Sequence, residues 1–452
     1  MVNDKHARSA TRNLLGSPAM RVMTSALVAG VMLMVAAPAA WAARITDVAD
    51  AADGDDPIDV QLDVSVEFTR HSGLITRENT QSPPDDPDGT PRTVDVKELE
   101  WERLRLRLRP RLEVGVFHDL ALFTEWPVVI MDSQTTRFAE GTTSANSTIA
   151  RDLAPNAVPT VDGWPETAGS GNALPEIQDG RYGFPGKAYN DWAVGADGSF
   201  AGYRAGLDNP VFGLRWSPLN NERDATKPTV TLQADYTAPF FAWMDPTNDD
   251  ISDVAAPGPV TDGLHKFHFG VGMSKRFGVF DPFFQLDYTL PFGGTGAANV
   301  LGHQPRQFGG FIAGSELVVF EQAQQRAVLE LLGSATYFSE GRDYSEVSDL
   351  FREMTYTDQF VRLGAKGGVR YVISDLFFIV AQGQLAYDTE HMLSIERFGK
   401  DLASADLNRQ VDLNNPAERN PYFNPAIDTV GRRLRIEQSV QLGFLVTMGV
   451  TF

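Results

Sequence analysis

Apolar and polar residues alternate without a miss along Ile58-Asp-Val-Gln-Leu-Asp-Val-Ser-Val-Glu-Phe68. A period of two marks a strand with one greasy face. The same rule holds, with varying regularity, over 99–116, 120–131, 208–217, 229–240, 264–276, 282–292, 309–320, 327–338, 358–371, 376–388 and 432–452, so the pattern predicts twelve strands in all. In the last one Val440, Leu442, Phe444, Val446, Met448, Val450 and Phe452 share a face, and Leu434 and Ile436 continue it upstream. Arg435, Glu437, Ser439 and Gln441 fall on the other.

The connections alternate between short (117–119, 218–228, 277–281, 321–326, 372–375) and long (69–98, 132–207, 241–263, 293–308, 339–357, 389–431). That rhythm predicts strands running up and down in chain order, with long loops at one rim and tight turns, together with both termini, at the other. Strands of about 9–13 residues suit a tilted transmembrane span, where every backbone group must find a partner because lipid offers none. Strands two and twelve read longer and should project beyond the membrane; Pro110, which lacks a ladder donor, predicts a bulge in strand two. Large rings should belt both ends of the outward face. They do so on paper, with Phe68, Trp126, Phe240, Phe292, Tyr337 and Tyr387 toward the loops and Trp216, Phe277, Phe284, Tyr371, Phe377 and Phe452 toward the turns. A soluble β-sandwich or propeller also alternates, but loop asymmetry, rings at strand ends and the lack of a repeat favour a closed membrane barrel.

The first 42 residues read as a secretory signal peptide: basic Lys5, Arg8, Arg12 and Arg21 precede the apolar run 26–37 and a small-residue site, Ala40-Trp41-Ala42. The run is too short for a membrane helix, which needs about 20 apolar residues. Removing its four basic residues and one acidic residue from the 39 and 59 of the whole chain leaves a net charge of −23, which disfavours nucleic acid as a partner. There is no cysteine, hence no disulfide and no thiolate metal site. Residues 43–57 form a short acidic lead, and 58–452 read as one barrel with no linker, no added soluble domain and no cofactor motif.

As a pattern over nearly all of the exported chain, the sequence resembles the outer-membrane β-barrel proteins of Gram-negative bacteria. The fold this implies is all-β, a transmembrane antiparallel up-and-down barrel of about twelve strands. In that class the last strand commonly ends in Phe preceded by alternating apolar residues, here Met448, Val450 and Phe452, and the barrel-assembly machinery recognises it. The resemblance also implies turns in the periplasm, long loops outside, and outer-membrane lipid and lipopolysaccharide as neighbours.

If one parity meets lipid, the other lines the lumen. Strand two then contributes Arg103, Arg105, Arg107, Arg109, Arg111 and Glu113 beside Asp59, Gln61, Asp63, Ser65 and Glu67 of strand one. Strand twelve, which must close the ring on strand one, should flank those acids with Arg433, Arg435 and Glu437. Arg215, Asp235, Lys266, His268, Arg276, Asp287, Glu330, Arg362, Lys366, Arg370 and Asp388 follow round the wall. The arginine row reads either as a basic track attracting small polar or anionic solutes or as a salt-bridge network with the acids of strand one, and the second reading is favoured where those acids lie opposite. Twelve strands enclose more than the eight that side chains can fill, so a narrow channel is expected.

Loop 132–207, with Trp164, Tyr182, Phe184, Tyr189 and Trp192, is too aromatic for a freely solvated loop and should fold over or into the mouth. Acid clusters Asp85, Asp86, Asp88 and Asp245, Asp249, Asp250, Asp253 read as solvated charge rather than calcium sites. Two further readings compete with a porin-like channel. One is a nonconducting structural or adhesin-type barrel. The other is an outer-membrane hydrolase, for which Asp388, His391, Ser394 and His303 are the best available groups, a polar trio that chance supplies. A plugged fatty-acid transporter is disfavoured because Arg44 to Pro57 looks too short and too acidic to plug.

Overall fold

A computed structural model describes residues 43–51, 59–81, 92–153, 176–178, 181–184, 187–188, 191–221, 223–293, 302–322, 325–374, 376–400, 402, 417–418 and 420–452. The signal peptide, Asp85, Asp86, Asp88, Trp164 and Tyr189 lie outside the described residues. The chain forms a closed antiparallel barrel of twelve strands. Two of the twelve are broken into two segments. In chain order the segments are β1 (Val60–Gln81), β2 (Arg92–Phe117), β3 (Leu120–Glu125) with β4 (Val128–Phe138), β5 (Phe200–Leu207) with β6 (Val211–Leu219), β7 (Thr229–Thr237), β8 (His265–Ser274), β9 (Phe280–Phe292), β10 (Phe308–Gln322), β11 (Gln325–Phe338), β12 (Phe360–Ser374), β13 (Phe377–Asp388) and β14 (Leu434–Thr451). Each strand pairs with its sequence neighbours, and β1 pairs with both β2 and β14. Val60 and Phe452 exchange backbone hydrogen bonds of 3.0 and 2.8 Å at the seam, so the final aromatic residue closes the ring.

The alternation decides which face is which. Leu331, Leu363, Leu385, Phe444, Val271 and Leu122 lie exposed on the outside, Leu331 at 69%, while their neighbours in sequence turn inward. Ring-bearing residues cap this surface at both ends: Phe68, Trp126, Phe240, Tyr337 and Tyr387 above, Trp216, Phe277, Tyr371 and Phe452 below, all exposed as the two expected belts require. The turns are tight. Gly278 takes φ 64 and Asp119 φ 52, the left-handed geometry that lets a strand reverse within a few residues.

Several boundaries move. β1 continues to Gln81 and β2 starts at Arg92, so most of the expected loop 69–98 is a paired ribbon standing above the barrel. Loop 132–207 shrinks at both ends, because β4 reaches Phe138 and β5 starts at Phe200. Pro110 does not bulge its own strand; it sits in register opposite Val64. The interruption falls instead on the neighbour that would have used the missing donor, where Trp126 and Pro127 separate β3 from β4 and the Trp126 amide bonds to the Pro110 carbonyl at 3.0 Å.

The outer end of β14 also departs from the expected parity. Gln438, at φ 52, and the register shift between Ser72 and Leu74 insert a bulge, which reverses the faces beyond it. Leu434 and Ile436, expected against lipid, are fully buried instead. They join Ile75, Leu99, Trp101, Ile149, Trp192, Val194, Val347, Leu350, Phe351, Leu393, Phe423 and Ile427 in one apolar core. These residues come from the strand ends and three of the long loops, so the loops fuse into a packed dome above the ring. Two short helices, α1 (Thr148–Asp152) and α2 (Ser348–Phe351), belong to it.

Candidate functional site: a charged lumen between a dome and a floor

The five arginines of the row, Arg103 to Arg111, all find acids, mostly on a different strand from the one expected. Arg103 binds Asp132 of β4 through two bonds of 2.6 Å, and Arg105 reaches the same carboxylate at 3.2 Å. Arg109 clasps Glu125 of β3 at 2.8 and 3.1 Å, while Arg107 binds Glu67 of β1 at 2.7 Å. Arg111 pairs with Glu113 on its own strand at 2.6 Å and stacks over the Phe123 ring at 4.0 Å. Of the β1 acids only Glu67 serves this row.

Asp59 and Asp63 face another partner. The segment Arg44 to Pro57 is expected from sequence to be too short and too acidic to plug the barrel, yet its described part, with Ala43, enters from the turn side and crosses the bore as a floor over residues 43–51. Arg44 lies 3.9 Å from Asp63 and its amide donates to Glu316 Oε1 at 3.0 Å. Thr46 Oγ1 meets Ser274 Oγ at 2.7 Å, Thr231 Oγ1 donates to the Thr46 carbonyl at 2.8 Å, and Arg215 Nη2 donates to the Ile45 carbonyl at 2.8 Å. The Ala49 amide donates to Glu113 Oε1 at 3.2 Å, and the amide of Asp50 to Asp59 at 3.3 Å. Contacts with many strands replace length, which is why nine residues suffice. Glycine makes room for the crossing: a Cβ on Gly115 would stand 1.9 Å from the Asp50 carbonyl oxygen.

Arg433, Arg435 and Glu437 stand well outside this zone. The register sets Arg435 opposite Thr76 and Leu434 opposite Arg77, whereas Glu67 faces Leu445. Arg433 binds Glu78 at 2.8 and 2.6 Å, Arg435 binds Asp95 at 3.0 Å and Glu437 accepts from Thr76 at 3.2 Å, all in the ribbon above the membrane. They secure the dome and do not line the pore. Arg362 holds Asp388 at 2.6 and 2.8 Å under the dome, and Arg370 is buried against Glu316 at the floor.

Lys366 differs from all of these. It shares the inward parity of Arg362 and Arg370, is exposed, and makes no ion pair among the described residues. An inward residue can be exposed only if the lumen leaves open space beside it. Its neighbours on that parity, Gly364 and Gly368, and Gly443 and Gly449 on β14 have no side chains of their own, and Ser334, Gln382, Gln384 and Phe378 pack against them. The wall around β2 is a ladder of paired charge, and Lys366 stands on β12, four strands round the ring from it. On β8, His268 bridges Asp235 at 2.7 Å and Asp287 at 3.2 Å.

Ion pairs also tie the dome together. Arg77, 1% exposed, donates to Asp152 at 2.7 Å, Thr148 at 3.0 Å and the carbonyls of Ala426 and Arg432. Arg204 binds Asp349 and Asp249 at 2.7 Å and Tyr344 at 2.8 Å. Burial works against the ionised form of Asp152, but Arg77 and Arg432 outweigh it and hold its carboxyl below the usual range. Asp343, also opposed by burial, is held well below that range by His303 and Arg306, whereas burial lowers His391. All three shifts mean that opening the dome takes up protons, so its stability falls with pH. Protease resistance of the outer loops in intact vesicles should be complete at pH 7 and weaken below the ordinary imidazole value of about 6.5. It should collapse below about pH 4, as the carboxylates protonate. A flat profile from pH 7 to 3 would refute this account.

Asp388, His391 and Ser394 do not come together. Asp388 is bound by Arg362, His391 Nδ1 contacts the Thr389 carbonyl at 2.8 Å, and buried Ser394 donates to the Ile427 carbonyl and accepts from the Leu434 amide. His303 pairs with Asp343. The second acid cluster is consumed in its loop: Asp245 accepts from Thr247, Asp250 from Ser252, Asp253 from Ala255, and Asp249 from Arg204.

A closed antiparallel ring with an apolar exterior, two girdles of aromatic rings and a charged interior is the architecture of the outer-membrane β-barrels, and this chain has it. No family model and no curated protein matches the sequence. Among solved structures it is similar to an outer membrane channel from Pseudomonas putida F1, at 10% identity over 86% of this chain and 95% of that one, with a TM-score of 0.37. It is also similar to a Pseudomonas aeruginosa FadL homologue (10%, 87% and 90%, 0.32) and to the outer membrane protease OmpT of Escherichia coli (6%, 87% and 97%, 0.28). Scores this low leave the architecture to stand on the strand pairing itself.

Proposed function

We propose that this barrel is a porin-like outer-membrane channel for small polar or anionic solutes, exported by its signal peptide and seated among outer-membrane lipid and lipopolysaccharide by its two aromatic girdles. The carrying observation is Lys366, an exposed, inward-facing cation with no ion pair among the described residues, in the same bore as arginines that are each held by a carboxylate. In such a lumen the paired row holds the wall rigid and polar, and the lysine sets the sign of the selectivity. The hydrolase reading is weaker because its candidate groups are each engaged elsewhere. The structural or adhesin-type reading draws on the dome, which would serve as the outer face of either protein.

Planar-bilayer recording decides between them. The wild type should give ohmic steps with anion preference, and Lys366→Glu should turn that preference toward cations with little loss of barrel yield. A silent bilayer would favour the structural reading. Hydrolysis of a lipid or peptide substrate that His391→Ala abolishes would favour the enzyme.

A further inference from the structure

The floor begins in an unusual place. Ala43 has no exposed surface and packs between Phe283 and Leu332 inside the ring. Its amide donates to the carboxylate of Asp281, which is 1% exposed and whose Oδ1 has no hydrogen-bond partner among the described residues. Register places Asp281 directly opposite Glu316, and Glu316 opposite Glu330, so three carboxylates form a row across three adjacent strands. Around them, Arg370 binds Glu316, Gln382 donates to Glu330 at 2.6 Å, and Arg44 contributes its amide to Glu316. Arg326 and Arg276 also act on Asp281 from the turn side. A peptide amide at Ala43 offers one donor and no charge to a carboxylate removed from water, and an unpaired buried charge is costly.

We infer that removal of the signal peptide after Ala42 creates the cation this row is built for: the α-ammonium of Ala43, captured by Asp281 and its neighbours, locks the floor inside the barrel. The inference rests on the export reading above. In the cleavage, a signal peptidase adds water across the Ala42–Ala43 bond. The carbonyl carbon of Ala42 takes the hydroxyl and leaves as carboxylate, and the freed nitrogen of Ala43 gains protons to become –NH3+. One donor becomes three, and a neutral group becomes a positive one beside a buried acid. The floor is thereby coupled to maturation, because an unprocessed chain has no α-ammonium to place there.

The test uses the full-length protein purified from outer membranes, with heat-modifiable mobility as the control for folding. Intact mass should identify residue 43 as the first residue. Acetylation by an amine-reactive ester, read by mass spectrometry, should be at least about tenfold slower at the α-amine in the folded barrel than in urea. Asp281→Asn should abolish most of that protection and raise single-channel conductance. Inserting Gly-Ser-Gly-Ser after Ala42 should do the same with every lumen acid intact, which keeps the question answerable if Asp281→Asn folds poorly. A mature terminus at another residue, an α-amine equally reactive in folded and unfolded protein, or full protection in both variants would overturn the proposal. Failure of the barrel to conduct would count against the channel alone, since the labelling needs no current.

Discussion

Arg77→Ala should release the dome while leaving the ring intact. The guanidinium is completely enclosed and serves Thr148 and Asp152 of α1, the carbonyls of Ala426 and Arg432, and, at 5.7 Å, the face of Trp192. It therefore joins the β1 ribbon to two separate loops. Truncation leaves one hydroxyl and two carbonyls without their donor and leaves Asp152 to Arg432 and Arg151. Removing one partner of a buried charge pair costs about 3–5 kcal/mol, a large part of what holds a small subdomain closed. The expected result is rapid cleavage of the outer loops by protease added to whole cells, with unchanged heat-modifiable migration of the barrel. The contacts explain this separation of effects. The dome core is made of strand ends and loops, whereas the ring is held by the continuous ladder from Gln61↔Thr451 through each neighbour in turn. Loops as resistant as those of the wild type would show that the apolar core alone keeps the mouth covered.

Asp132→Ala should strengthen the preference for anions. Asp132 is 4% exposed and is the carboxylate shared by Arg103 and Arg105, which are only partly buried and face the lumen. Deleting it releases two guanidinium groups into a confined, poorly screened passage, where each unit charge interacts several-fold more strongly than it would in bulk water. Reversal potentials in a salt gradient should shift strongly toward anions, opposite in direction to the effect of Lys366→Glu, and the shift should shrink as ionic strength rises. Glu67→Ala should act in the same direction but less, because Arg109 keeps Glu125 when Arg107 loses its carboxylate. An unchanged reversal potential at full conductance would place the permeation path away from the β2 wall.

Both experiments concern charges that were visible in the sequence; the chain did not reveal their partners. Which residues face lipid follows from a period of two within each strand, a local property, and so the twelve strands, the belts and the inward arginines could be read directly. A salt-bridge network with the acids of β1 is the reading the sequence favours for the arginine row, and each of its five arginines does contact a carboxylate. The choice of Asp132 and Glu125 over Asp59 and Asp63 could not be read, because it depends on register between strands and on a break opposite Pro110. The same limit misplaced Arg433 and Arg435: one bulge at Gln438 reverses every side chain beyond it, and nothing in the alternation marks its position.

The sequence alone, then, determined the object, a membrane barrel with a polar bore and long loops at one rim, because solvent partition acts on each strand independently. Tertiary structure decided what stands at the two mouths. The dome gathers residues from β1, β2 and loops hundreds of positions apart, and the floor joins Arg44 to Glu316 across 272 residues. Hairpin register alone sets Asp281, Glu316 and Glu330 side by side, but only the closed ring encloses residues 43–51 and brings them across to that row.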